Sequence, residues 1–278
     1  MSATVIHLAH SPDSDDAFMF YALAEGKVDA EDVEYVHELQ DIETLNQRAI
    51  RGELEVTAVS IHAYAYIADR YELLPHGASM GDRYGPKLVA RSPMSRTEVS
   101  GKRIAVPGPL TSAYLALRLY EPDFEPVFTP FDQIDDAVLK GEVDAGLLIH
   151  EGQLTYGSQG LHLVADMGEW WFDETGLPLP LGGNVIRKDL GEELKRKVSR
   201  HLRASIAYGL EHRTKALDHA MRYARGLERS DADTFVGMYV NEWTLDYGVR
   251  GREAIRQFLD RGVESGVIPK PVVVEFAD

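Results

Sequence analysis

Lys140-Gly141-Glu142-Val143-Asp144-Ala145-Gly146-Leu147-Leu148-Ile149-His150 carries a helix end into a buried strand and stops on an imidazole. Glycine suits the helix end because a residue without Cβ takes the left-handed conformation there at no steric cost. The run Ala145 to Ile149 is short and unbroken by polar residues, the pattern of a strand covered on both faces. Arg51-Gly52-Glu53-Leu54-Glu55-Val56-Thr57-Ala58 has the same grammar. Two such joins predict two lobes of similar βα organisation, although αβ loops in general share this look.

Outward from these stretches, Val5 to Ala9 reads as a strand and Ser11 to Asp16 as turn formers and caps. A helix follows through Phe18, Tyr21, Ala22 and Glu25 to Gly26. Asp41 caps a second helix with Ile42, Leu45 and Ala49 on one face; Gly52 ends it, and strand Glu55 to Val59 delivers Ser60. The middle third repeats the plan: strand Arg103 to Val106, a helix through Leu110 to Tyr120, strand Glu125 to Phe128, a helix around Phe131 to Leu139, and strand Asp144 to Ile149. Val89-Ala90-Arg91-Ser92-Pro93 and the Pro- and Gly-rich Leu177 to Asn184 read as crossings between lobes, and the chain is helical from Asp189 onward. The expected architecture is a two-lobed α/β fold, with a discontinuous larger lobe (1–92 and 185–278), an inserted smaller lobe (93–184) and a ligand cleft between them.

Composition narrows the function. In 278 residues, 44% are hydrophobic and 27% charged, so a true core is expected. A formal charge of -16 repels phosphate backbones and anionic lipid, which argues against nucleic-acid and membrane partners and for a small molecule. Cysteine is absent, which removes thiolate chemistry and Cys-ligated metals. Met1 to Ala9 has no signal-peptide pattern, so a cytoplasmic protein is expected.

Four loops fall at strand ends facing the cleft: Ser11 to Asp16, Ser60 to Tyr64, Pro107 to Ala113 and His150 to Tyr156. Helices starting after Asp16 and Leu110 would aim unpaired N–H groups at a carboxylate or other polar oxygen, with Thr111 and Ser112 adding hydroxyls. Singly, each such residue more often caps its own helix. A buried strand brings His150 to the cleft edge beside Glu151, and imidazole suits proton abstraction near neutrality; a hydrogen-bonded structural histidine is the plainer alternative. Asp13 to Asp16 lacks the EF-hand glycine and glutamate and reads as solvated caps, while Gly81, Gly85 and Gly108 compose no nucleotide motif. No metal or organic cofactor is expected. Trp170-Trp171 reads as core filling.

Together the loops resemble the 1,4-dihydroxy-6-naphthoate synthases of the futalosine route to menaquinone. The resemblance runs nearly end to end through Ser11-Pro12 with Asp16, Glu43-Thr44-Leu45-Asn46, Ser60 with Ala63-Tyr64, Gly85-Pro86, and Val106-Pro107-Gly108 with Thr111. Its most specific parts are Ile149-His150-Glu151 with Thr155-Tyr156, and Thr175-Gly176-Leu177-Pro178-Leu179-Pro180-Leu181-Gly182. It implies a type II periplasmic-binding-protein-like fold and cofactor-free conversion of cyclic dehypoxanthinyl futalosine to 1,4-dihydroxy-6-naphthoate. By the same resemblance His150 is the general base, Ala58, Val59, Ser60, Ser112 and Ala113 contact substrate, Asn46 is a further contact, and the assembly is a monomer or homodimer. The chain departs from the family at Asp13-Ser14-Asp15, where Cys-Pro-Asn is common, and at His10 and His62, which put the exact substrate in doubt. The alternatives are a chorismate dehydratase of the same pathway and a non-catalytic small-carboxylate-binding protein.

Overall fold

A computed structural model describes residues 3–223 and 228–278. The chain begins with β1 (Thr4–His10), α1 (Ser14–Ala24), β2 (Val33–Leu39), α2 (Ile42–Arg51), β3 (Val56–Ser60), α3 (Ile61–Tyr64), β4 (Tyr71–Leu73) and β5 (Ser79–Gly81). It continues with β6 (Lys87–Ala90), β7 (Arg103–Val106), α4 (Ser112–Tyr120), β8 (Glu125–Phe128), α5 (Ile134–Lys140), β9 (Ala145–Leu148), α6 (Gly152–Thr155), β10 (His162–Asp166) and α7 (Met167–Thr175). It returns through β11 (Leu179–Arg187), α8 (Glu192–Glu211), α9 (Arg213–Ala220), α10 (Arg229–Tyr239), α11 (Glu242–Leu245) and α12 (Gly248–Glu264).

Two sheets result. One runs β2-β1-β3-β11-β4, with β5 also on β11; the other runs β10-β6-β9-β7-β8. β1 pairs parallel with β2 and β3, and β7 pairs parallel with β8 and β9, so each sheet holds a small parallel unit whose carboxyl ends deliver loops. Local chemistry fixes the helix ends as the sequence requires. Asp41 accepts from Thr44 N at 3.0 Å, and Gly52 and Gly141 take φ of 71° and 76° at the ends of α2 and α5.

The first sheet packs Ile6, Leu8 and Val56 against Phe18 and Phe20 of α1 and Leu202 and Ile206 of α8. Each such fully buried side chain contributes about 1.5–3 kcal/mol. Val89, Ala105 and Leu148 of the second sheet meet Ile134 and Val138 of α5. A further cluster joins the sheets: Val59, Tyr71 and Leu73 share one core with Ile104, Val106, Leu147, Trp171 and Phe258. Trp171 is fully buried, as core filling requires, and Trp170 packs half-buried against the same cluster.

Three expectations need correction. Leu177 to Asn184 is not an open crossing, because Leu179–Arg187 is a strand central to the first sheet. Its turn-like residues do other work: the ladder shifts register between Pro180 and Gly182, where a residue without N–H is tolerated, and a Cβ at Gly183 would meet Tyr247 Oη at 2.7 Å. Lys87–Ala90, assigned to the 1–92 lobe, pairs with β9 and β10 in the second sheet, so the first crossing comes before β6. After α12 the chain is extended, bridging Leu73 to Phe276, rather than helical.

At the crossings backbone meets backbone. A Cβ on Gly81 or Gly168 would lie 2.0 or 1.9 Å from the Tyr84 carbonyl oxygen, and Met167 N donates to Pro86 O at 2.9 Å. Gly108 has a different reason, since its Cβ would strike Glu43 Oε2 at 2.5 Å across the cleft. These glycines are spacing devices, consistent with the lack of a nucleotide motif.

Candidate active site

A cavity opens where the strand ends of both sheets converge. Ser11, Asp15 and Asp16 come from the loop and helix after β1, Ala58, Val59 and Ser60 from β3, and Leu181 and Gly182 from β11. Opposite them stand Ser112 and Ala113 at the start of α4, with Ile149, His150 and Gln153 after β9; Phe235 and Tyr239 of α10 complete the wall. All four loops singled out by sequence therefore reach one cavity.

Six of the seven named site residues line it: His150, Ala58, Val59, Ser60, Ser112 and Ala113. Asn46 does not. It is fully buried behind Ser60, taking Ser60 N on Oδ1 at 2.9 Å and giving Nδ2 to Ser60 Oγ at 3.1 Å. Its role here is to hold Ser60, because α2 points it at the strand and not at the cavity. The Ser112 hydroxyl donates to Leu181 O at 2.6 Å and accepts from His62 N at 3.1 Å, so it ties the two sides together. Thr111 caps α4 by accepting from Tyr114 N at 3.2 Å, and Ser112 and Ala113 of the first turn line the cavity.

The loop Asp13 to Asp16 is buried, not solvated. Ser11 N donates to Asp16 Oδ2 at 2.8 Å. Burial pushes the Asp16 carboxyl up to about 6, with Asp13 adding to the rise and the Ser11 hydrogen bonds opposing it. Asp15 is raised well above the carboxylate range, by burial first and then by Asp16, Asp13 and Glu151. Charges this close in a dry loop oppose one another, which favours the protonated form of Asp15.

Three histidines lie near the cavity in different states. His10 stacks on Phe20 with ring centroids 4.4 Å apart, and burial pushes it down to about 3. His62 Nδ1 donates to Thr111 O, 3.3 Å away, and burial pushes its pKa down to about 4. Both are neutral supports. His150 stands in the wall at the strand end, with left-handed backbone (φ 53°) and its ring edge-on to Phe131 at 4.8 Å. Its Nδ1 lies 3.2 Å from Asp13 Oδ2, a partner from the opposite side of the cleft that sequence reading missed. Gln153 and Tyr239 were also missed; a tyrosine in an amphipathic helix carries no signal for a site. Among the described residues, no three side chains of metal-ligating type are gathered to hold an ion, and no helix is long and apolar enough to cross a membrane.

Two α/β units closing on a cavity at their strand ends define the two-lobed binding-protein class. The alkanesulfonate-binding protein of Xanthomonas axonopodis shares this fold, with a TM-score of 0.75 at 12% identity over 99% of this chain and 97% of that one. A crystal structure of a protein from Archaeoglobus fulgidus is closer, with a TM-score of 0.90 at 50% identity, covering 95% of this chain and 98% of that one. Residues 6–264 match the family model described as menaquinone biosynthesis. A 1,4-dihydroxy-6-naphthoate synthase of Thermus thermophilus is 42% identical over 272 residues, 97% of this chain and 99% of its own length. The chain belongs to the 1,4-dihydroxy-6-naphthoate synthase family, and it is an enzyme of menaquinone biosynthesis acting on a small molecule.

Proposed function

We propose that the chain converts cyclic dehypoxanthinyl futalosine to 1,4-dihydroxy-6-naphthoate, with His150 as general base. The observation that carries this reading is an imidazole in the cavity wall, beside oxygen-binding groups, in a chain of this family. The base takes a proton from the substrate, which triggers carbon–carbon cleavage, and the ring system gains aromaticity as the sugar-derived fragment leaves. Ala58, Val59, Ser60, Ser112 and Ala113 hold the substrate, with α4 N–H groups meeting an oxygen. The residues need no metal or organic cofactor for this step. The enzyme works in the cytoplasm as a monomer or homodimer.

The cavity measures about 100 Å³, against roughly 300–1,000 Å³ for typical ligand sites, so the two lobes part to admit substrate and close over it. We place the lobe boundaries at the crossings flanking β6 and β10. The test is turnover of cyclic dehypoxanthinyl futalosine by the purified protein and by His150→Ala, with chromatography for 1,4-dihydroxy-6-naphthoate. Product from the parent alone supports both reaction and base. Product from both keeps the reaction and removes the base, whereas ligand binding without turnover by either points to a binding protein.

A further inference from the structure

We propose that Asp13 is the positioning residue of His150, holding the imidazole with its proton on Nδ1 so that Nε2 faces the substrate. The proposal rests on His150 being the base and adds what sets its tautomer and orientation.

Asp13 occupies the N-cap of α1 with extended backbone (φ −92°, ψ 159°), and its carbonyl accepts the first helical bond from Ala17 N at 2.9 Å. Its own N–H donates to Ser11 Oγ at 3.3 Å, so the backbone is fixed on both sides. An aspartate at this position normally turns its carboxylate onto the N–H groups of its own helix. Asp41 and Asp166 do so at α2 and α7. The Asp13 side chain makes no such cap and instead reaches Nδ1 of His150 at 3.2 Å. Its side chain is 2% exposed and that of His150 17%, so the contact is shielded on the Asp13 side while the ring keeps an open edge.

His150 is equally constrained. A non-glycine residue at φ 53° is held by its surroundings rather than by preference. Its carbonyl accepts from Gln153 N at 3.2 Å as α6 begins, and Phe131 meets the ring edge-on. A carboxylate on Nδ1 selects the tautomer with a lone pair on Nε2, and it stabilises the imidazolium formed once that nitrogen takes a proton. Asp15 and Asp16 on α1 and Glu151 beside His150 are the further acidic groups around this pair. Because Asp13 stands on the other side of the cleft, the base is aligned only when the cleft is closed.

The experiment uses Asp13→Asn and His150→Ala in the full chain, with cyclic dehypoxanthinyl futalosine as substrate. For Asp13→Asn we expect kcat to fall about 10- to 100-fold with KM within about threefold. The acid limb of the kcat/KM profile should move to lower pH, because an imidazolium without its carboxylate loses its proton more readily. Parent-like kcat with an unmoved limb overturns the proposal, and so does a kcat loss without a shifted limb. Activity retained by His150→Ala overturns the base assignment instead. Independently of turnover, nitrogen NMR of the His150 ring in the unmodified protein should show the proton on Nδ1; a ring protonated on Nε2 overturns the pairing.

Discussion

Tyr239 on α10 donates its hydroxyl to Gln153 Oε1 at 2.7 Å, joining the helical return of the chain to the loop that carries His150. Both side chains are buried, so neither has water as a substitute partner. Tyr239→Phe strands the Gln153 oxygen, a loss of about 1–3 kcal/mol. The contact belongs to the closed cleft, so KM should rise about tenfold while kcat changes little. Steady-state kinetics checks this; a fall in kcat at constant KM would place Tyr239 in the chemistry.

Asn46 acts through Ser60. Asn46→Ala removes the partner of both Ser60 N and Ser60 Oγ inside a fully buried pocket, so stability should drop by about 1–3 kcal/mol. Urea denaturation measures it, and substrate affinity should weaken with it. Asn46→Asp offers an acceptor only and should repair part of the loss through Ser60 N.

Much of this geometry was legible in the sequence, for physical reasons that differ by element. The Asp41 cap of α2 and the Gly52 and Gly141 stops of α2 and α5 announce themselves because they act locally, and the Ala145 to Ile149 run leads to His150 because a doubly covered strand has no polar alternation. β11 was illegible because Pro180, Gly182 and Gly183 are turn formers by propensity, and a register shift and a close tyrosine overrule that preference. Asp13 was read as a solvated cap because sequence shows its place before a helix but not the ring on the far side of the cleft. Asn46 is expected among the ligand contacts only through the family resemblance, and the sequence does not show that its amide is taken up by Ser60 instead.

His10 should make the protein acid-sensitive. Its folded value of about 3 lies below the ordinary 6.5, so between those values the unfolded chain binds a proton that the native state refuses. Its contribution is fully present above pH 6.5 and is lost as pH falls, by about 1.4 kcal/mol per pH unit. Asp16 acts in the opposite sense, since its folded value of about 6 exceeds its ordinary 3.8. His10→Leu keeps Asp16 and removes the histidine, so its stability relative to the parent should climb steadily from pH 6.5 toward 3. Denaturation curves across that range test it; parallel profiles would refute a buried neutral His10.

Gly168→Ala sets a methyl group 1.9 Å from the Tyr84 carbonyl oxygen, where only backbone could give way. A loss of about 1–3 kcal/mol is expected by calorimetry or denaturant. Gly160→Ala, with nothing within 4 Å but φ 84°, is the control for conformational strain alone.

Val59, Tyr71 and Leu73 of one sheet and Ile104, Val106 and Leu147 of the other share their apolar neighbours at the base of the cleft. Neither half owns a complete interior. Excising residues 82–178 would take Trp171 away from Phe258 and bare the apolar side chains left behind to water. The shared floor predicts that the protein melts as one cooperative unit despite its bipartite look, and that trading its halves between relatives fails unless the surfaces of that common floor are exchanged together.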